Sequence, residues 1–190
     1  MKKAFKLIGV ILILALAAYG AYSLVVKSVS YIRYERQLSS ISALEKIQVG
    51  AAPVPNIILS APDGNKITLY DELKNKDFVI LSFGSIYCDN CHKEYRALES
   101  ADMLKKVPSN SAFFLVVPEG RAFIEQFEKD LNIHLPIYVI DKDVPAKLGI
   151  SKIPTIVLIG KDKKIKMYQV GYKESALEDM FQYIKKNAKH

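Results

Sequence analysis

The chain of 190 residues contains two cysteines, Cys88 and Cys91, spaced Cys-x-x-Cys. That spacing suits two kinds of chemistry: reversible disulfide formation, or half of a metal site. The neighbours favour the first. An apolar run, Phe78-Val79-Ile80-Leu81-Ser82-Phe83, leads into the pair, and a helix-compatible run from His92 to Ser100 leads out of it. A strand feeding a helix in this way sets both cysteines at the helix N-terminus. Unpaired N–H groups and the positive end of the helix dipole favour a thiolate there, the reactive form of cysteine. Cys88 is predicted as the attacking thiol. Cys91, one turn on, is close enough to resolve a mixed disulfide. Glu94 lies a further turn along the same side of the helix.

Two neighbours bear on this chemistry. Asp89, between the cysteines, places a negative charge near the thiolate, which raises the thiol pKa and opposes the helix dipole. A thiolate destabilised in this way makes a better electron donor, so Asp89 points towards a reductase. His92 abuts Cys91 and could stabilise a thiolate or ligate copper or zinc; a single histidine in a first helical turn reads as a polar surface residue. His134, before Leu135-Pro136, reads as a loop residue.

The elements around the pair follow an α/β pattern. Ile57-Ile58-Leu59 and Lys66-Ile67-Thr68-Leu69 flank the turn sequence Pro62-Asp63-Gly64-Asn65 and predict a hairpin. Tyr70 to Leu73 allows one helical turn. Asp77 to Phe83 and Ala112 to Val117 read as buried strands by their continuous apolar runs. Cys88 to about Lys106 and Arg121 to Asp130 read as helices. Ile137 to Ile140 is a short strand and Val144 to Leu148 a short helix. Thr155 to Ile159 and Ile165 to Gln169 read as a final pair of strands, and Glu174 to Lys186 as a closing helix. Strands separated by helices imply parallel pairing, with the last two strands as an antiparallel edge. The fold class is α/β: a mixed central β-sheet flanked by helices.

The first 50 residues differ in character. Leu7 to Val26 carries no charge and is bounded by Lys6 and Lys27, a length that suits a helix crossing a bilayer core of roughly 30 Å. Residues 1–27 are predicted as an N-terminal membrane anchor: a basic head plus one transmembrane helix. A cleaved signal peptide is the rival reading, with a weak small-residue site at Ala18-Tyr19-Gly20. Residues 28–50 carry apolar positions at helical spacing and read as a juxtamembrane stalk helix. Gly50-Ala51-Ala52-Pro53-Val54-Pro55 breaks that helix, so the globular domain is assigned to 51–190. The net charge of +7 is uneven: seven Lys/Arg oppose two Glu in residues 1–50, and twenty oppose eighteen Asp/Glu in the remainder. The basic excess belongs to the anchor region and does not argue for a nucleic-acid partner. Half of the residues are hydrophobic, which leaves ample core for one domain.

From about Ala51 to Ala188 the sequence resembles the thioredoxin-like superfamily, and within it the membrane-anchored TlpA/ResA branch of thiol-disulfide oxidoreductases. Three matches in order carry the resemblance. They are a hairpin before the strand Lys76-Asp77-Phe78-Val79-Ile80-Leu81-Ser82-Phe83, the Cys-x-x-Cys-x-x-Glu of Cys88, Cys91 and Glu94, and Ile153-Pro154-Thr155 some 60 residues downstream. The resemblance implies a thioredoxin-like fold and a proton-transfer role for Glu94 beside the buried thiol. It also implies a cis Pro154 whose backbone edge, with Ile153, Thr155 and Tyr87, docks a substrate strand. Three departures stand out: Tyr87 where the family carries Trp, no proline in or just after the cysteine motif, and Lys163-Lys164 where the final hairpin usually has glycine.

The function implied is that of an extracytoplasmic thiol-disulfide oxidoreductase held in the cell membrane, N-terminus inside, in a bacterium. It would need no cofactor beyond the Cys88–Cys91 disulfide. Its partners would be oxidised client proteins such as apocytochrome c, a membrane thiol electron donor, and lipid through the N-terminal helix. A disulfide oxidase or isomerase would use the same residues with the opposite electron flow. A copper- or metal-binding thioredoxin-like protein is the reading of a different class.

Overall fold

The computed structural model describes residues 49–50, 52–100 and 103–187. The anchor expected over residues 1–27, and all but the last two residues of the expected stalk, lie outside that range. Among the described residues no helix is long and apolar enough to cross a membrane.

Seven strands form one sheet: β1 (Ile58–Ser60), β2 (Lys66–Thr68), β3 (Phe78–Phe83), β4 (Ser111–Val117), β5 (Ile137–Val139), β6 (Thr155–Gly160) and β7 (Ile165–Val170), in the spatial order β2-β1-β5-β4-β3-β6-β7. Among the described residues five α-helices connect and close it: α1 (Leu69–Asn75), α2 (Asp89–Ser100), α3 (Arg121–Leu131), α4 (Val144–Lys147) and α5 (Ala176–Asn187). This is the thioredoxin-like arrangement that the resemblance implies, with a mixed sheet between two layers of helix.

The central strands show why their sequences are apolar throughout. Phe78 and Ile80 of β3, Leu115 and Val117 of β4, and Ile156 and Leu158 of β6 pack in the core on one face, with α2, α3 and α5. Val79, Leu81, Phe83, Phe114, Val116, Val157 and Ile159 point to the other core, shared with α1 and α4. Successive side chains of a strand alternate between faces, so a strand covered on both sides must be apolar at every position. Ser82, fully buried, is the exception in β3.

Three expectations need correction. Leu69 starts a helix and does not end a strand, because Thr68 caps it: its hydroxyl accepts the Asp71 N–H at 3.1 Å. The helix after the cysteines is described over Asp89–Ser100, and Met103–Lys106 form a 3₁₀ turn, not α-helix. Finally, β6 lies beside β3 and runs antiparallel to it, with Phe83 opposite Thr155, although a helix separates β5 from β6. A parallel neighbour needs a crossover that carries the chain back along the sheet. The four residues of α4 advance only about 6 Å, against about 20 Å for a six-residue strand. The chain therefore stays at the end where β5 finishes, and β6 starts from there. The same geometry brings Pro154 to the end of the sheet at which β3 delivers the cysteines.

Candidate active site

β3 and β4 are parallel, so the loops that follow them leave the sheet side by side, tied by the Gly84 N–H donating to the Val116 carbonyl at 3.0 Å. Gly84 suits glycine, because the hydroxyl of the buried Tyr95 from α2 occupies the space a Cβ would need. The chain then turns sharply. The Cys88 N–H donates to the Ser85 carbonyl at 3.3 Å, and α2 begins at Asp89.

Cys88 and Cys91 are joined in a disulfide across the first turn, with Cα atoms 5.2 Å apart. Cys91 is completely buried, whereas Cys88 is part-exposed. The two sulfurs are thus unequal: an outside thiol can reach Cys88 and cannot reach Cys91. The Cys91 N–H donates to the Cys88 sulfur at 3.2 Å. That contact is the anion-favouring feature of a helix N-terminus, aimed at the accessible sulfur.

Glu94 follows one turn later and is only 4 % exposed. Its partner is the hydroxyl of Ser82, which donates to the Glu94 carboxylate. Burial pushes the Glu94 pKa up to about 7, with the Ser82 hydrogen bond acting against the shift. A carboxyl group poised near neutrality exchanges protons readily at physiological pH. Glu94 also forms part of the wall of a cleft of about 380 Å³ between α2 and the start of α5, with Met103, Lys106 and Tyr172 around it.

Ile153, Pro154 and Thr155 stand at the same end of the sheet. The Ile153–Pro154 peptide bond is cis. The Pro154 carbonyl accepts the Gly171 N–H at 2.8 Å, and Thr155 Oγ1 donates to the Lys152 carbonyl at 2.7 Å. Pro154 and Thr155 are buried, Ile153 partly so. Tyr87, beside Cys88, packs partly against the core; burial, and then the charge of Glu119, raise its pKa. Cys88, Cys91, Glu94, Tyr87, Ile153, Pro154 and Thr155 therefore gather at one end of the sheet.

His92 departs from its expected surface role. It is partly buried, its ring lies 5.0 Å from that of Phe127, and Nε2 is 2.9 Å from the Ile86 carbonyl. A carbonyl only accepts, so Nε2 carries the proton and donates to it. His134 is exposed and contacts Glu99, as a loop residue should. Ser82, Ser85 and Glu119 were not singled out from the sequence. Ser82 had a usable signal, since a polar residue within a fully buried strand demands a partner.

Residues 48–184 match the redoxin family model. Among solved structures, a candidate protein disulfide isomerase from Bacteroides thetaiotaomicron is 26 % identical, with a TM-score of 0.61 over 74 % of this chain and 89 % of that one. A candidate thiol:disulfide interchange protein DsbE from Chlorobium tepidum is 19 % identical, with a TM-score of 0.60 over 74 % and 98 %. StoA from Bacillus subtilis is 21 % identical, with a TM-score of 0.55 over 70 % and 98 %. No curated protein matches by sequence. A match over most of the chain, a thioredoxin-like sheet and a disulfide closed at a helix start agree: the chain belongs to the redoxin family and is a thioredoxin-like thiol-disulfide oxidoreductase.

Proposed function

We propose that the protein is a reductase of disulfides in exported proteins, apocytochrome c among them, working outside the cytoplasm from an N-terminal membrane anchor. The observation that carries the direction of electron flow is the acidic setting of the pair. Asp89 opens α2 immediately beside Cys88, and Glu94 lies buried one turn beyond Cys91. The Asp89 charge, joined by that of Glu94 when it is ionised, disfavours a thiolate and so destabilises the reduced pair relative to the disulfide. A pair of that kind gives its electrons away. The uncharged run Leu7–Val26 supports the anchor and, with it, supply of electrons by a membrane dithiol.

In the reaction, the Cys88 thiolate attacks one sulfur of a client disulfide. A Cys88–client disulfide forms, and the second client sulfur leaves as a thiolate that takes up a proton. The Cys91 thiol passes its proton to the Glu94 carboxylate and attacks the Cys88 sulfur. This closes the Cys88–Cys91 disulfide and expels the other client sulfur, which is protonated in turn. The client gains two electrons and two protons. The membrane dithiol restores the enzyme by the reverse exchange and becomes a disulfide itself. Tyr87 and the part-exposed Ile153, held in place by the buried Pro154 and Thr155, provide the surface on which the client strand lies during attack.

Replacing Cys91 with serine removes the resolving thiol and leaves Cys88 in place. Expressed as the full chain in a bacterial membrane, this variant is expected to accumulate mixed disulfides with exported proteins, released by dithiothreitol and absent from a Cys88→Ser/Cys91→Ser control. Adducts confined to cytoplasmic proteins would contradict the location, and no adducts at all would contradict the order of attack.

A further inference from the structure

A second carboxyl group, partly buried, also contacts the cysteine loop. Glu119 lies in the turn Pro118-Glu119-Gly120 that joins β4 to α3, next to the loop leaving β3. Ser85, 1 % exposed, donates from its hydroxyl to Glu119 Oε1 at 2.5 Å. The same hydroxyl accepts the Tyr87 N–H at 3.1 Å, while the Ser85 carbonyl accepts the Cys88 N–H at 3.3 Å. A chain of hydrogen bonds therefore runs from Glu119 through the Ser85 hydroxyl to the Tyr87 backbone, and the Ser85 main chain itself holds the Cys88 N–H. The second oxygen, Glu119 Oε2, is covered and makes no hydrogen bond of full geometry, although the backbone N–H groups of Glu119 and Ile86 lie near the carboxylate. Covering a carboxylate costs stability unless its surroundings compensate it, so simple packing does not account for an acid at this position. Burial raises the Glu119 pKa; the Ser85 hydrogen bond, the N–H groups of Glu119 and Ile86, and the charge of Lys142 act against that rise.

We propose that Glu119 is a positioning residue for Cys88: through Ser85 it fixes the turn that holds the Cys88 sulfur against the N-terminus of α2. The fixed turn keeps the sulfur within reach of the Cys91 N–H, the contact that favours the thiolate. A loosened turn would leave the Cys88 thiol in place but raise its pKa and slow its attack. The proposal rests on Cys88 being the attacking thiol.

The test uses the full chain, purified in detergent and reduced. The rate of alkylation by iodoacetamide is followed against pH, and the labelled cysteine is identified by mass spectrometry. Ser85→Ala and Glu119→Ala are each expected to slow labelling of Cys88 at neutral pH about tenfold and to move the midpoint of its pH profile upward, as loss of a charge-assisted hydrogen bond would do. The double variant is expected to be no slower than either single one, since both changes break the same link. Glu119→Gln keeps an acceptor for Ser85 and is expected to stay within about threefold of the original protein. If Glu119→Ala does not fold, Ser85→Ala, which removes one hydroxyl, reads the same link. Label on Cys88 with rates and midpoints unchanged in the single variants would overturn the proposal, as would strictly additive losses in the double variant. Label on Cys91 in the original protein would overturn instead the assignment of Cys88 on which the proposal rests.

Discussion

Cys88→Ser is expected to reduce disulfide reductase activity to the uncatalysed background. The serine hydroxyl stays protonated at any working pH, and Cys91 is too deeply buried to take over the attack. The same change has a structural effect of known sign. The disulfide closes a loop of four residues, Cys88 to Cys91, and loop-closure entropy for that length corresponds to about 2 kcal/mol. Cys88→Ser should therefore unfold more easily than the oxidised protein by about that amount, and its urea midpoint should not respond to dithiothreitol. An insulin-reduction assay and paired urea titrations check both parts. Residual activity in Cys88→Ser, or a disulfide-sized stability response to reductant in that variant, would contradict the assignment.

Glu94→Gln is the second large effect. In the oxidised protein burial holds the Glu94 pKa at about 7, above the ordinary 4.5. The folded state thus binds a proton between these values that the unfolded state has released. Stability falls as pH rises across that window, is highest below about pH 4.5, and levels off above pH 7. The drop associated with this group is on the order of 3 kcal/mol, from a shift of about 2.5 units. Glutamine can accept the Ser82 hydrogen bond without carrying charge. The Glu94→Gln variant should match the original protein at low pH, exceed it above pH 7, and lose this slope. In catalysis the order reverses: without a proton acceptor beside Cys91, resolution of the mixed disulfide should slow by about a hundredfold or more. Urea titrations from pH 4.5 to 8 and single-turnover resolution kinetics measure the two effects. An unchanged slope would contradict the buried, protonated state of Glu94, and unchanged resolution would contradict its role.

The reactive core was legible because its logic is local. A strand that is apolar at every position, two cysteines and the start of a helix are consecutive in sequence, and their spacing alone places Cys88, Cys91 and Glu94 on one turn after another. The hairpin, both buried central strands and the closing helix were equally readable from local pattern. What escaped depends on distant contacts. Glu119 meets Ser85 across 34 positions, and nothing in Val117-Pro118-Glu119-Gly120 announces a carboxyl group folded beneath the cysteine loop. His92 was read as a surface residue because Phe127 and the Ile86 carbonyl, which enclose it, belong to other segments. The direction of β6 depended on α4 being too short to carry the chain back, which helix length reveals and hydrophobic periodicity does not. Thr68 is a different kind of miss: its capping role is local, but its β-branched side chain also suits a strand.

The proposed reductase direction has to hold with Tyr87 before the pair and no proline within the cysteine motif. In this account the direction of electron flow is set by the charges and buried acids around Cys88 and Cys91. The equilibrium reduction potential of the Cys88–Cys91 pair, measured on the purified chain against a glutathione or dithiothreitol redox buffer, tests that claim most directly. The expected value lies at the reducing end, near the roughly −270 mV of thioredoxin. A value near roughly −120 mV, typical of a strong disulfide donor, would contradict the reductase assignment and reverse the electron flow.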